Sequence, residues 1–135
     1  MIEKMQNNTF DPKSANSVML AYLGDAVWEL LVRERLFSKV AEGSAEANRL
    51  ALEYVTALAQ AEASHRLDLY FTDEEKDVFR RGKNTKSHNV PKSVSRYEYR
   101  LATGLEAVFG YNYIMNRQDR NRELFNFAFP TEANC

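Results

Sequence analysis

The chain has 135 residues, 44% of them apolar and 12% aromatic, which suits one domain with a real core. Its net charge is −1, and its single cysteine, Cys135, excludes a disulfide framework or a cysteine-based metal site. No apolar run approaches the roughly 20 residues that span a bilayer, and the opening MIEKMQNNTF lacks the apolar stretch of a signal peptide. A cytoplasmic, non-membrane protein is therefore expected.

Helical periodicity dominates and no stretch alternates with period two, so an all-α fold of one domain over 1–135 is predicted. Asp11-Pro12 reads as a helix cap followed by proline at the first helical position, with a break near Asn16. A helix then runs to about Leu36. Its part over 18–32 (VMLAYLGDAVWELLV) is apolar almost all round. Asp25 has Val18, Ala21, Tyr22, Trp28, Glu29 and Val32 on its face, and the opposite stripe is Leu20, Leu23, Val27, Leu30 and Leu31. Such a helix is expected to be buried on every side, within the fold or against another subunit.

Residues 39–44 read as a connector. Ser44 is placed to cap a helix whose core stripe is Leu50, Tyr54, Ala57, Leu58 and Ala61. Thr72 and Glu75 spell a capping box, T-x-x-E, opening a short helix that stops near Gly82. The stretch 82–95 (GKNTKSHNVPKSVS) is the one long polar loop, and loops of that length are usually functional or disordered. Helices over about 96–115 and 117–128 follow, the last ending before Pro130.

Two acids sit where a charge should not be. Asp25 shares the run 18–32 with only one other charged residue, Glu29, and Glu106 lies within LATGLEAVFG. An ionised carboxylate on a buried helix is costly unless a cation or strong donors compensate it. Two such acids, remote in sequence, suggest a metal between two helices. Gly24 precedes Asp25 and Gly104 lies two residues before Glu106, with Ala21, Ala26, Ala102 and Ala107 alongside. A mid-helix glycine costs about 1 kcal/mol relative to alanine, but small residues let helices cross closely enough to bring the acids together. The plainer alternative is that each acid is satisfied separately, for example by Tyr22, Arg33 or Arg100.

Two carboxylates suffice for Mg²⁺, which keeps several waters and accepts substrate phosphate as a ligand. Oxygen-only ligation beside a basic stretch points to metal-assisted phosphodiester hydrolysis. That stretch, residues 80–100, carries seven basic residues and one acid, so it is +6 while the remainder is −7. Segregation of this kind suggests a positive face for an anionic partner, against the alternative of a merely solvated basic loop. His65 and His88 give weak signals: the first is placed for packing or solvation, the second for a lone phosphate contact. No phosphate-binding loop, dinucleotide fingerprint or nucleophile elbow is present.

The run NSVMLAYLGDAVWELLV resembles the signature helix of the ribonuclease III family, with its Leu-Gly-Asp core. The later TGLEAVFGYNYI resembles that family's second acidic helix. The short length, the intervening RRGKNTKSHNVPK and the absence of a double-stranded-RNA-binding domain resemble its mini-ribonuclease III branch. The resemblance covers nearly the whole chain. It implies the ribonuclease III endonuclease-domain fold, a helical bundle forming a symmetric homodimer that cuts double-stranded RNA with Mg²⁺, Mn²⁺ being an alternative ion. Asp25 matches the catalytic aspartate and Glu106 the metal-binding glutamate. For this branch the implied role is trimming precursor 23S ribosomal RNA at a double-stranded stem.

Full-length members bear two further acids, where this chain has Ala21 and Thr103, which puts a second metal and tight binding of the first in question. An RNA-binding scaffold that lost catalysis is accordingly the second reading. An all-helical nucleotide pyrophosphohydrolase ranks last, because only Asp25 and Glu29 approach its E-x-x-E pattern. Duplex RNA is read mainly by shape, 2′-hydroxyls and phosphates. Lys83, Lys86 and Lys92 are the first candidates for phosphate contacts and Arg80 and Arg81 the next, whereas Arg96 and Arg100 are placed to neutralise acids near Glu106.

Overall fold

A computed structural model describes residues 11, 14–40, 43–85, 90–92 and 94–131; Pro12, Lys86, His88 and Cys135 lie outside them. Among the described residues there are six helices and no strand, in agreement with the all-α expectation. They are α1 (Ser17–Lys39), α2 (Ser44–Val55), α3 (Ala57–Leu67), α4 (Asp73–Lys83), α5 (Arg96–Ile114) and α6 (Gln118–Ala128). None is long and apolar enough to cross a membrane.

Local chemistry fixes most of the boundaries. Asn16 starts α1 by accepting the Val18 N–H at 2.8 Å. The capping box forms as expected: Thr72 Oγ1 accepts the Glu75 N–H at 3.1 Å, and Glu75 Oε1 accepts the Thr72 N–H at 2.9 Å. Ser44 does not act as a cap. It is the first residue of α2, and the cap position falls to Gly43, whose φ of 111° lies in the left-handed region. The stretch that follows breaks into two helices at Thr56, which is extended and whose hydroxyl accepts the Ala59 N–H at 3.1 Å. A threonine side chain bonded to a nearby N–H competes with the helix ladder, so one helix ends and another starts. The new start turns Ala59, Gln60 and Ala63 inward and leaves Leu58, expected in the core, half exposed.

Helix α5 is the axis of the bundle, packing on α1, α3, α4 and α6. Its Leu105, Ala107, Val108, Phe109 and Tyr111 are fully buried. Trp28 of α1 meets Phe109 and Phe125 edge-on at centroid distances of 5.0 and 5.2 Å, and its indole N–H donates to the Tyr54 carbonyl at 2.8 Å. A buried ionic lock joins α4, α5 and α6. Glu75, 2% exposed, accepts two bonds from Arg120 at 2.9 and 2.8 Å and one from the Asn112 amide at 2.9 Å. Burial alone would raise the Glu75 carboxyl, but the bonds from Arg120, Thr72 and Asn112 outweigh it and hold the group below its ordinary value.

Helix α1 is buried on one side only within the chain. Leu20, Ala21, Gly24, Val27, Trp28, Leu31, Val32 and Leu36 face inward, whereas Met19, Tyr22, Leu30 and Phe37 are open to solvent, Phe37 at 89%. Burial of every side within the fold is thus not met on that outer face: among the described residues no element lies over it, which leaves the other expected partner, a second subunit.

Candidate active site at the crossing of α1 and α5

The site is set by two glycines. Helices α1 and α5 run antiparallel where Gly24 meets Gly110, and their backbones touch. A Cβ on Gly24 would overlap the Glu106 carbonyl and lie 2.9 Å from the Gly110 nitrogen; one on Gly110 would overlap the Leu20 carbonyl. Gly104, expected at this crossing, does not take part. It faces α4 instead, where a Cβ would come 2.8 Å from the Phe79 carbonyl oxygen. Six residues separate Gly104 from Gly110, which puts them on different faces of one helix.

Because the backbones are in contact, the residue after Gly24 is carried to the residue that Gly24 touches. The carboxyl groups of Asp25 and Glu106 come within hydrogen-bonding reach of each other. Burial pushes the Glu106 carboxyl up to about 9, and the hydrogen bond and charge of Asp25 push the same way. The one opposing influence is Gln60, whose Nε2 donates to Glu106 Oε2 at 3.4 Å. Asp25 stands on the exposed side of α1, so the pair has an open edge.

The plainer alternative, in which each acid has its own partner, is not what the structure shows. Arg33 pairs with Glu29 at 3.4 Å. Arg100 donates to the Lys83 carbonyl at 2.9 Å and to Asn84 Oδ1 at 3.0 Å. Tyr22 is 75% exposed, and no basic side chain acts on Glu106. Ala21 is a buried methyl, and the Thr103 hydroxyl donates to the Tyr99 carbonyl at 2.9 Å. Among the described residues no cluster of three or more histidines, cysteines and acids is placed to hold a metal. Among the described residues, Glu106 has one amide donor and neither acid of the pair has a salt bridge.

The basic candidates divide. Arg80 and Arg81 extend from α4 and share Asp77, at 2.7 and 3.2 Å. Lys83, in the last turn of α4, lies 5.9 Å over the Phe79 ring, Lys92 is exposed on the loop, and Lys86 is outside the described residues. Arg100 corrects an expectation. Instead of neutralising an acid, it closes the C-terminal end of α4 and fastens the root of the basic loop to α5, six residues before Glu106 or about 9 Å along the helix. His65 is exposed, its Nε2 3.4 Å from the Tyr97 hydroxyl. Sequence reasoning missed Gln60 and Gly110. A lone glutamine in ALAQAEAS carries no signal by itself, and Gly110 ends an apolar run that gave no reason to prefer it over Gly104.

Residues 18–117 match the profile of the ribonuclease III domain. A mini-ribonuclease 3 from Symbiobacterium thermophilum is 42% identical over 118 residues, covering 87% of this chain and 91% of that protein. One from Clostridium tetani is 38% identical over 119 residues, covering 87% and 79%. The fold is similar to the crystal structure of a protein from Fusobacterium nucleatum, with a TM-score of 0.75 and 28% identity, covering 84% of this chain and 90% of that one.

Proposed function

Because the chain belongs to the ribonuclease III family, we propose that it is an endoribonuclease hydrolysing phosphodiester bonds of double-stranded RNA at Asp25 and Glu106. The proposal includes Mg²⁺ as the resident ion, a symmetric homodimer as the working form and the precursor 23S ribosomal RNA stem as the natural substrate. The observation that carries it is the pair itself: two carboxyls from remote parts of the chain, brought together by a glycine crossing, with no basic side chain among the described residues paired to either.

The donor set fits a hard divalent cation. It is oxygen-only, it carries enough negative charge to need one, and two protein carboxylates leave room for water and substrate phosphate. Asp25 and Glu106 would hold the ion. Its chemistry when bound is activation of water for attack at phosphorus and neutralisation of charge on the phosphoryl oxygens. The chain's own contribution is placement. Glu106 is fixed by the contact of its own main chain with Gly24, Gln60 donates to its carboxylate, and Asp25 lies at the open edge from which a phosphate must approach. Arg80, Arg81, Lys83 and Lys92, with Lys86 beyond the described residues, supply the positive side that attracts an RNA backbone.

The outer face of α1 supports the dimer. Met19, Tyr22, Leu30 and Phe37 form an exposed apolar row. It adjoins a cleft of about 550 Å³ between α1 and α2, lined in part by Leu36, Phe37, Val40, Ala47 and Ala51. A second copy covering this row would set two acidic sites against the two strands of a duplex. The alternative, a scaffold that binds RNA without cutting it, is favoured only by the missing acids at Ala21 and Thr103. Incubating long duplex RNA with the purified protein decides between them. Cleavage with Mg²⁺ and none with EDTA is expected; intact RNA under both conditions, with binding retained, establishes the scaffold.

A further inference from the structure

Gln60 is a buried amide in a helix whose other inward side chains are the small Ala59, Ala61, Ala63 and Ser64 and, at its end, Leu67. It is 4% exposed, and its neighbours Ala59 and Ala61 are buried at 8% and 3%. Burying an amide is unfavourable unless its polar atoms are bonded, so a residue of this kind needs a partner that justifies it. The partner in the structure is Glu106, whose Oε2 accepts from Gln60 Nε2 at 3.4 Å. Three helices meet here, with Gln60 on α3, Glu106 on α5 and Asp25 on α1.

We propose that Gln60 is the positioning residue of the metal site, an uncharged donor that fixes the Glu106 carboxylate between itself and Asp25. This rests on the function proposed above and deepens it. The carboxylate is in contact with an amide and with a second carboxyl, so rotation about its last bond disturbs one contact or both. A charged donor would defeat the purpose. Lysine or arginine at position 60 would hold Glu106 equally firmly, but it would also neutralise the pair and compete with a divalent ion for the same oxygens. Glutamine orients without adding charge. In a site that lacks acids at positions 21 and 103, the two remaining carboxylates must do more, so their orientation governs how well an ion is held. Partners behind metal ligands commonly change metal affinity or activity by about 10–100-fold when removed.

The test is Mn²⁺ binding, followed by electron paramagnetic resonance of the free ion, to the intact wild-type protein and to Gln60→Met, Gln60→Asn and Asp25→Asn. Methionine preserves length and removes the donor; asparagine keeps an amide that falls one methylene short. Both variants are expected to bind Mn²⁺ about 10-fold more weakly, with the Mg²⁺ concentration for half-maximal cleavage rising in step. A residue that merely fills space would lower the melting temperature and leave the metal midpoint where it was. Wild-type Mn²⁺ affinity in either variant, with circular dichroism showing it folded, overturns the inference even if the other does not fold. The function proposed above is judged separately. If wild type binds Mn²⁺ and Asp25→Asn does not, that reading stands and the Gln60 variants alone decide; if wild type binds none, both fall.

Discussion

Gly24 is pressed against the main chain of Glu106, and a Cβ at position 24 would lie 2.5 Å from the Glu106 carbonyl carbon. The two helices therefore approach to backbone contact at the point where the acids project. Any side chain at position 24 must push them apart. Gly24→Ala is expected to lower stability by about 3 kcal/mol or more, at or beyond the upper end of ordinary overpacking, and to abolish cleavage. Gly110→Ala should behave alike, since its Cβ would meet the Leu20 carbonyl. Urea unfolding checks both, and an unchanged midpoint for Gly24→Ala contradicts the close crossing.

Stability without metal should depend on pH through Glu106. Its carboxyl is raised from an ordinary 4.5 to about 9, with burial as the largest cause and Asp25 next. Between those values the folded chain keeps a proton that the unfolded chain has released, so raising the pH favours unfolding. This contribution is complete below the ordinary value and is lost as the pH passes through the raised one. Melting in EDTA should therefore fall between about pH 5 and pH 9 in wild type and flatten in Glu106→Gln. Equal slopes in the two proteins would show that Glu106 ionises normally.

The buried lock at Glu75 has the opposite sign. Its folded-state carboxyl is lowered because hydrogen bonds from Arg120, Thr72 and Asn112 overcome the effect of burial. The stability it confers is present above the ordinary carboxylate value and disappears as the pH falls through the lowered one. Arg120→Ala leaves a buried carboxylate without its cation, and a loss of about 3–5 kcal/mol is expected. Denaturant titration at neutral pH measures it; a change below about 1 kcal/mol would mean that Glu75 does not depend on Arg120.

Arg100 should matter to RNA and not to metal. It ties the Lys83 carbonyl and Asn84 to α5, so Arg100→Ala frees the root of the basic loop. Weaker duplex binding is expected with Mn²⁺ binding unchanged. Lys83→Ala should lower the slope of log affinity against log salt by about 0.7–0.9, one released counterion. A filter-binding series at several salt concentrations reads both effects, and a wild-type slope for Lys83→Ala removes that residue from the phosphate track.

The acids were legible because a charge inside an apolar helical run stands out against its neighbours, and the capping box at Thr72 because its two partners are local. The helix count was misread at Thr56, since a threonine in a helical stretch looks the same whether its hydroxyl faces solvent or caps the next turn. Gly104 and Gly110 both lie in α5, and periodicity gives a residue's face without saying which neighbour covers it. Arg100 was expected at an acid because only charges show in a sequence, whereas its main acceptor is a backbone carbonyl. Gln60 gains its meaning solely from a residue on another helix.

Cleavage of long duplex RNA in Mg²⁺ by wild type, Asp25→Asn and Glu106→Gln tests the central claim most directly, with folding and oligomeric state verified for each. Both variants are expected to stay folded, keep the wild-type assembly and lose more than about 100-fold in rate, beyond the cost of removing an outer partner. Wild-type rates in both would contradict the assignment of the site to these two acids.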